Sequence, residues 1–422
     1  MKQHSFFKRI WLTILSVGPG IFCIGYTIGT GSVTSMAKAG SEFGMQLLWV
    51  LFLSCLFSWV LMEAYGRFAI ITADTSMHGF RTRLRFGKPI ALFTMVAVVI
   101  AQWNALTGIL GLSSNAIYES IRMFMPNLAL PHYGGVLGIA IAIILIMYTL
   151  LLVGRYSFFE KVLLFFVTIM GISFILSLFI VMPSPLDIVA GFIPRIPKAE
   201  GGKLMVAAFV GTTMAAPTFV VRPLLMKGKG WTAVNTREQS RDAFVSALVM
   251  FIISGSIMAV ATGALFYRGQ TITKVLDMVY TLEPVAGKFA VAVFLAGTLS
   301  AGLSSVFPVL MVAPLLIADY RAGILDTQSS LFRILAGIAC VFGLVVPIFG
   351  ANPIAAQIAT QVANVFVLPV AIFGITYLVN KQDYMGKHKA GILLNAGLVA
   401  AFAFSCFISY TGILALKEFF MG

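Results

Sequence analysis

The chain has 422 residues, 59% hydrophobic and 10% charged, with a mean hydropathy of +0.98. No water-soluble globule covers so much apolar surface, so the solvent is lipid and little chain is left for a separate soluble domain. The net charge of +14 is spread over short connections between apolar runs, which reads as membrane orientation and excludes a nucleic-acid partner.

A hydrocarbon core of about 30 Å takes roughly 20 apolar residues per helix. Runs of that kind fall at 10–39, 45–70, 89–118, 133–153, 157–182, 201–225, 240–267, 286–318, 329–349, 352–380 and 390–416, predicting an all-α integral membrane protein of about eleven transmembrane helices. Most of the 29 Lys and Arg fall on the side of the N-terminus. The positive-inside rule then places the N-terminus in the cytoplasm and, after eleven crossings, the C-terminus outside, in a plasma membrane of bacterial (inner-membrane) type. The basic start MKQHSFFKR leads into a long apolar span without a small-residue cleavage site, so it reads as the first helix and not as a removed leader.

The first span is interrupted at mid-depth by Gly25-Tyr26-Thr27-Ile28-Gly29-Thr30-Gly31-Ser32. Backbone groups freed there cannot face lipid and must line a protected cavity. In the second span Glu63 precedes Arg67 by four residues, the spacing of a structural ion pair near the inner end. The third span, 89–118, holds no Asp or Glu, and its Gln102 and Asn104 point to different sides. The sixth span repeats the interruption at Gly211-Thr212-Thr213-Met214-Ala215-Ala216-Pro217-Thr218 and then carries Arg222, a charge inside a span. Five residues at 1.5 Å each put Arg222 about 7.5 Å below Pro217. It is a candidate for the inner vestibule of an anion pathway, or it snorkels toward the interface near Lys227. In the tenth span Gln357, Gln361 and Asn364 share one helix face, either lining a pathway or bonding between helices. Cys23, Cys55, Cys340 and Cys406 have no CxxC spacing and read as small core residues.

Interruptions in the first and sixth of ten spans suggest two five-helix repeats, 1–182 and 183–380, with 381–422 adding an eleventh helix to a single membrane domain. Five is odd, so the second repeat enters from the opposite face and the repeats are inverted, an arrangement suited to alternating access. Each second half-helix starts near Gly31 or Ala216 and Pro217, aiming a partly positive N-terminus at the midplane. With the hydroxyls of Thr30, Ser32, Thr212, Thr213 and Thr218, these ends make a nest for a small anion or a carbonyl-bearing solute; alternatively the hydroxyls only bond helix carbonyls.

The stretch GPGIFCIGYTIGTGSVTSMAKAGSEFGMQLLWV (18–50), with GTTMAAPT in the sixth span, LSAGLSS (299–305) and TQVANVFVLPVAIF (360–373), resembles the NRAMP family of proton-coupled divalent-metal transporters. The resemblance covers most of residues 10–380 and implies the leucine-transporter type of fold, with helices one and six broken. It places Gly29, Thr30, Gly31 and Ser32 where the family carries Asp-Pro-Gly-Asn. Ala215-Ala216-Pro217 stands where the family carries Met-Pro-His, or Met214-Ala215-Ala216 if the register slips by one. The metal-binding carboxylate and histidine are thus absent, and no metal site is expected among these residues. The expected substrate-binding residues are Gly29, Thr30, Gly31, Ser32, Thr212, Thr213, Met214, Ala215, Pro217 and Thr218. By analogy with sodium-coupled relatives of this fold, Ala301, Ser304 and Ser305 with the carbonyls of Tyr26 and Ile28 form a candidate sodium site; small-residue helix packing is the alternative.

The leading expectation is a secondary transporter without the transition-metal site that moves a small, bicarbonate-like anion, with sodium as the coupling ion and no other cofactor. The alternative is a divalent cation (Mn, Mg, Fe) transporter of the NRAMP type; a receptor or scaffold is a third class. No nucleophile and base pair and no phosphate loop follows a strand, so no enzymatic activity is expected. The partners expected are a small inorganic ion or polar solute and the lipid bilayer.

Overall fold

In a computed structural model, described for residues 18–125, 127, 131–153, 156–199, 201–273, 277, 283–324 and 327–421, the chain is helical with no strand among the described residues. The predicted first-span residues 10–17 lie outside them. Among the described residues, ten stretches are long and apolar enough to cross a membrane. The first of these, Thr30–Thr72, joins the end of the first predicted span to the second through a single 3-10 turn, Gly44–Leu47.

In chain order the helices are α1 (Gly20–Thr27), α2 (Thr30–Phe43), α3 (Leu48–Thr72), α4 (Ser76–Arg83), α5 (Gly87–Phe124), α6 (His132–Leu152), α7 (Tyr156–Ile180), α8 (Pro185–Ala190), α9 (Gly202–Thr213), α10 (Ala216–Gly228), α11 (Thr236–Ala264), α12 (Glu283–Ala322), α13 (Ser330–Gly343), α14 (Val345–Phe349), α15 (Pro353–Asn364), α16 (Leu368–Asn380), α17 (Gln382–Met385) and α18 (Ile392–Met421). The α9–α10 span is the axis of the molecule: 94% of its most apolar window is buried, against 22% for α18, which leaves α18 on the periphery. α12 packs on α5 and α7, and α11 packs on α2 and α3, so the interrupted helices are enclosed by continuous ones. That enclosure is what interrupted helices need in lipid.

Two departures from the sequence reading bear on the site. α5 runs on to Phe124, so Glu119 is an acid of the third membrane helix, buried at its far end with Arg122 Nε 3.5 Å away. The tenth span is not continuous: α15 stops at Asn364 and α16 starts at Leu368, with a tight turn between. Pro369, in the first turn of α16, has no N–H to continue the ladder back into α15. Cys406 is exposed on the outer helix α18 and is not the core residue expected; Cys23 and Cys55 are buried and Cys340 half-buried. The Glu63–Arg67 pair is formed at 3.1 Å, and Glu63 also accepts from Gln239 Nε2 and Ser240 Oγ. On the same side Asp319, at the end of α12, accepts from Thr75 Oγ1 and from the Met77 and His78 amides, capping α4 from another helix.

Candidate functional site

Both interruptions are formed where the sequence places them. α1 ends at Thr27; Ile28 (φ −91°, ψ 61°) and extended Gly29 (φ −98°, ψ −166°) lead into α2 at Thr30. α9 ends at Thr213; Met214 (φ −95°, ψ 45°) and Ala215 (φ −65°, ψ 113°) lead into α10 at Ala216. Pro217 forbids a through-going helix, and the freed Ala215 carbonyl is recovered locally by Thr218, whose amide (3.0 Å) and Oγ1 (2.6 Å) both donate to it.

Between the interruptions lies a small cavity of about 20 Å³. Its walls are Tyr26, Gly29, Thr30, Gly31 and Thr212 from the broken spans, Ala105 and Ile109 from α5, Ser305 and Val309 from α12, and Gln357 and Gln361 from α15. A water needs roughly 10–15 Å³ by this kind of measure, so there is room for one water-sized particle. No charged side chain lines it. Its surroundings are rich in unspent polar atoms: Thr27, Thr30 and Thr213 Oγ1, Gln357 Oε1 and Gln102 Nε2 are buried without a hydrogen-bond partner. Glycine is required at several positions around it, among them Gly29, Gly31, Gly108 and Gly211. A Cβ on Gly31 would overlap Gln361 Nε2 and come 2.8 Å from Gln357 Nε2, and one on Gly211 would overlap the Gln361 carbonyl oxygen.

Of the expected binding residues, the structure gathers Gly29, Thr30, Gly31 and Thr212 at the cavity wall. Ser32 turns away, 3.2 Å from Ser254 Oγ on α11. Met214, Ala215 and Pro217 are buried at the second interruption without lining the cavity, Thr213 accepts from Ser58 Oγ through its carbonyl, and the Thr218 hydroxyl bonds its own turn while its carbonyl accepts from Cys23 Sγ at 3.7 Å. Gln357 and Gln361 face the cavity, while Asn364 Nδ2 donates to Gln361 Oε1 at 3.3 Å, so the stripe both lines and braces. At the candidate sodium site Ser304 and Ser305 donate to the carbonyls of Gly25 (3.4 and 2.9 Å) and Ala301 (3.0 and 2.9 Å). From the first helix it is the Gly25 carbonyl that these hydroxyls meet, while Tyr26 lies with Ser305 at the cavity wall.

Arg222 corrects the expectation most sharply. It is fully buried, neither facing an anion pathway nor snorkelling: its Nη2 donates to Asp242 Oδ2 at 2.7 Å and to Gln239 Oε1 at 3.2 Å. Asp242 on α11, missed in the sequence, also accepts from the Gly18 amide at 2.7 Å and the Gly20 amide at 3.0 Å. Its signal was available, since Gln239, Asp242 and Ser246 share one face of the helix. Tyr26 was missed as a side chain: its hydroxyl donates to Gln102 Oε1 at 2.6 Å and ties the first interruption to α5.

A family model described as natural resistance-associated macrophage protein-like matches residues 20–415. The divalent metal cation transporter MntH of Verminephrobacter eiseniae is 24% identical over 412 residues, covering 95% of this chain and 89% of its own length. That of Erwinia tasmaniensis is 27% identical over 296 residues, 68% of each chain. A mutant of the Eremococcus coleocola manganese transporter superposes with a TM-score of 0.73 at 14% identity, covering all of this chain and 90% of that one. MhsT in complex with L-phenylalanine superposes with a TM-score of 0.65 at 14% identity, covering 94% and 98%, and shares the fold.

Proposed function

The chain belongs to the natural resistance-associated macrophage protein family, a family of multi-pass membrane transporters, and from that premise we propose that it is a secondary transporter whose cargo is a divalent metal cation. The observation that carries this reading is the cavity itself, with room for one water-sized particle and an uncharged, oxygen-rich surround. A single desolvated ion fits that volume. The C-terminal ends of α1 and α9, at Thr27 and Thr213, carry partly negative carbonyls that favour a cation there, offsetting the N-terminal ends of α2 and α10. Neutral oxygens without thiolate or imidazole suit hard ions of the magnesium and manganese class over zinc or copper. Relatives named as divalent metal cation transporters support the same cargo. Binding by neutral oxygens alone is weak and readily reversed, which suits transport more than storage.

A second reading, a bicarbonate-like anion with sodium at Ser304 and Ser305, is favoured by one observation: no Asp, Glu, His or Cys lines the cavity, and the Gln357 and Gln361 amide nitrogens crowd Gly31 at the start of α2. Against it, Arg222 is spent on Asp242. A three-oxygen anion also needs more space than a cavity of about 20 Å³ offers. Proteoliposome uptake separates the two: saturable manganese or magnesium uptake, with labelled bicarbonate at the level of empty liposomes, is expected. Bicarbonate uptake that rises with a sodium gradient, with no metal uptake, overturns the cation reading. The reading keeps the orientation argued from charge, with the N-terminus in the cytoplasm of a bacterial-type cell.

A further inference from the structure

We propose that the segment joining α7 to α9, residues 182–198, is an interfacial anchor whose apolar face lies among the lipids of the leaflet opposite the N-terminus, at the boundary between headgroups and acyl chains. The inference concerns the bilayer and does not depend on the cargo. The segment starts where a membrane span ends and folds into α8. Leu186 and Val189, three residues apart on α8, are 80% and 69% exposed, and Met182, Phe192 and Ile193 are exposed on either side of them. So many large apolar side chains facing outward in one short stretch mark a surface that something apolar covers.

Continuity identifies lipid as that cover. The last turn of α7 carries exposed Phe179 and Ile180 on a membrane-spanning helix, and the segment begins directly beyond them. The Phe192 ring packs edge-on against Phe52 at 5.7 Å, and both rings lie within 6.4 Å of Phe251, so the segment extends an aromatic cluster built on the spans α3 and α11. Phe52, near the start of α3, is itself exposed. The polar groups are directed elsewhere. The Ser184 amide donates to the Tyr267 hydroxyl at 3.0 Å, and that hydroxyl donates to Asp187 Oδ2 at 2.5 Å. Tyr267 is half-exposed, an apolar ring with a polar tip of the kind found at headgroup depth. Arg195, Lys198 and Arg268, on the same side of the bundle, are exposed, and their long side chains suit contact with lipid phosphates. An amphipathic segment of this composition lies roughly 5–10 Å deep in the interface.

The anchor is fastened to both interrupted spans. The Trp49 amide donates to the Gly191 carbonyl at 2.9 Å, and Trp49 Nε1 donates to the Arg195 carbonyl at 3.0 Å. A Cβ on Gly191 would come 2.3 Å from the Met45 carbonyl oxygen, so the segment lies flat on the turn Gly44–Leu47 that joins α2 to α3. Its other end leads into α9. The bilayer thereby sets the depth of α2 and α9, the half-helices that run between the cavity and this side of the membrane.

The test uses the full chain in liposomes, with the native cysteines replaced by serine and one new cysteine, Leu186→Cys or Val189→Cys, carrying a nitrobenzoxadiazole dye. Val234→Cys, 89% exposed in the loop before α11, is the water-facing reference, and Leu145→Cys, exposed on the membrane span α6, is the mid-membrane reference. Quenching by iodide is expected to be at least about threefold weaker at both segment positions than at 234. A nitroxide at carbon 5 of the lipid chain is expected to quench them about twice as strongly as one at carbon 12, the reverse of position 145. Both positions are exposed, so the dye leaves the packing intact, and a melting curve at the parent temperature verifies the fold of each labelled protein. Iodide quenching equal to that at 234, as for a face left in water or covered by a soluble partner, overturns the anchor. So does protection without nitroxide quenching that is lost on diluting the protein in lipid, as for a face covered by a second copy.

Discussion

Gly31→Ala is the smallest perturbation that tests whether the cavity between the interruptions is the place of transport. The added Cβ overlaps Gln361 Nε2 and lies 2.8 Å from Gln357 Nε2, so both amides must move. Placing Ala for Gly inside a helix gains roughly 0.5–1 kcal/mol. Pushing Gln361 off its rotamer costs roughly 0.5–1.5 kcal/mol. Losing the 3.3 Å bond from Asn364 costs a further ~1 kcal/mol. The terms leave a modest net loss of about 0.5–2 kcal/mol in stability. The cavity, however, has only about 20 Å³, and a methyl group takes up the room of the one water-sized particle it holds. Uptake of manganese into proteoliposomes is therefore expected to fall more than tenfold while the melting curve in detergent moves by a few degrees. Parental uptake by a well-folded Gly31→Ala protein would refute the placement of the cargo.

Gln357→Leu removes a buried acceptor at the cavity wall; manganese binding measured by calorimetry is expected to weaken about tenfold, equivalent to ~1.4 kcal/mol, with the fold retained. Tyr26→Phe leaves Gln102 Oε1 without its 2.6 Å donor, beside an Nε2 that already lacks a partner, and is expected to cost about 1–3 kcal/mol in thermal unfolding. Adding Gln102→Met to Tyr26→Phe is expected to recover most of that loss; no recovery would mean that the pair is not what stabilises the contact.

The membrane solvent, the all-helical fold and both interruptions were legible in the sequence because each is a local property. Hydropathy is summed over a window, and Gly29, Gly31 and Pro217 act on their own backbone. What the residues at the interruptions do was harder to read. Thr30 and Thr212 reach the cavity while Ser32 and Thr218 do not, because a turn of only a few residues decides which way each side chain faces. Arg222 stood out as a buried charge, but its partner Asp242 lies 20 residues on in another helix, and only helix rotation brings them together. That pairing removed the main positive charge from the anion expectation. The half-helix ends were likewise counted on one side only, since the N-termini of α2 and α10 drew attention while the carbonyls ending α1 and α9 did not. The break before α16 had Pro369 as its signal, masked by the uninterrupted apolar run around it.

The most direct test of the cation reading is anomalous scattering from crystals of the protein grown with manganese. An anomalous peak between Thr30, Thr212 and Gln357 is the predicted result. Saturating manganese with no peak there, or a three-oxygen density in its place when bicarbonate is supplied, would contradict it.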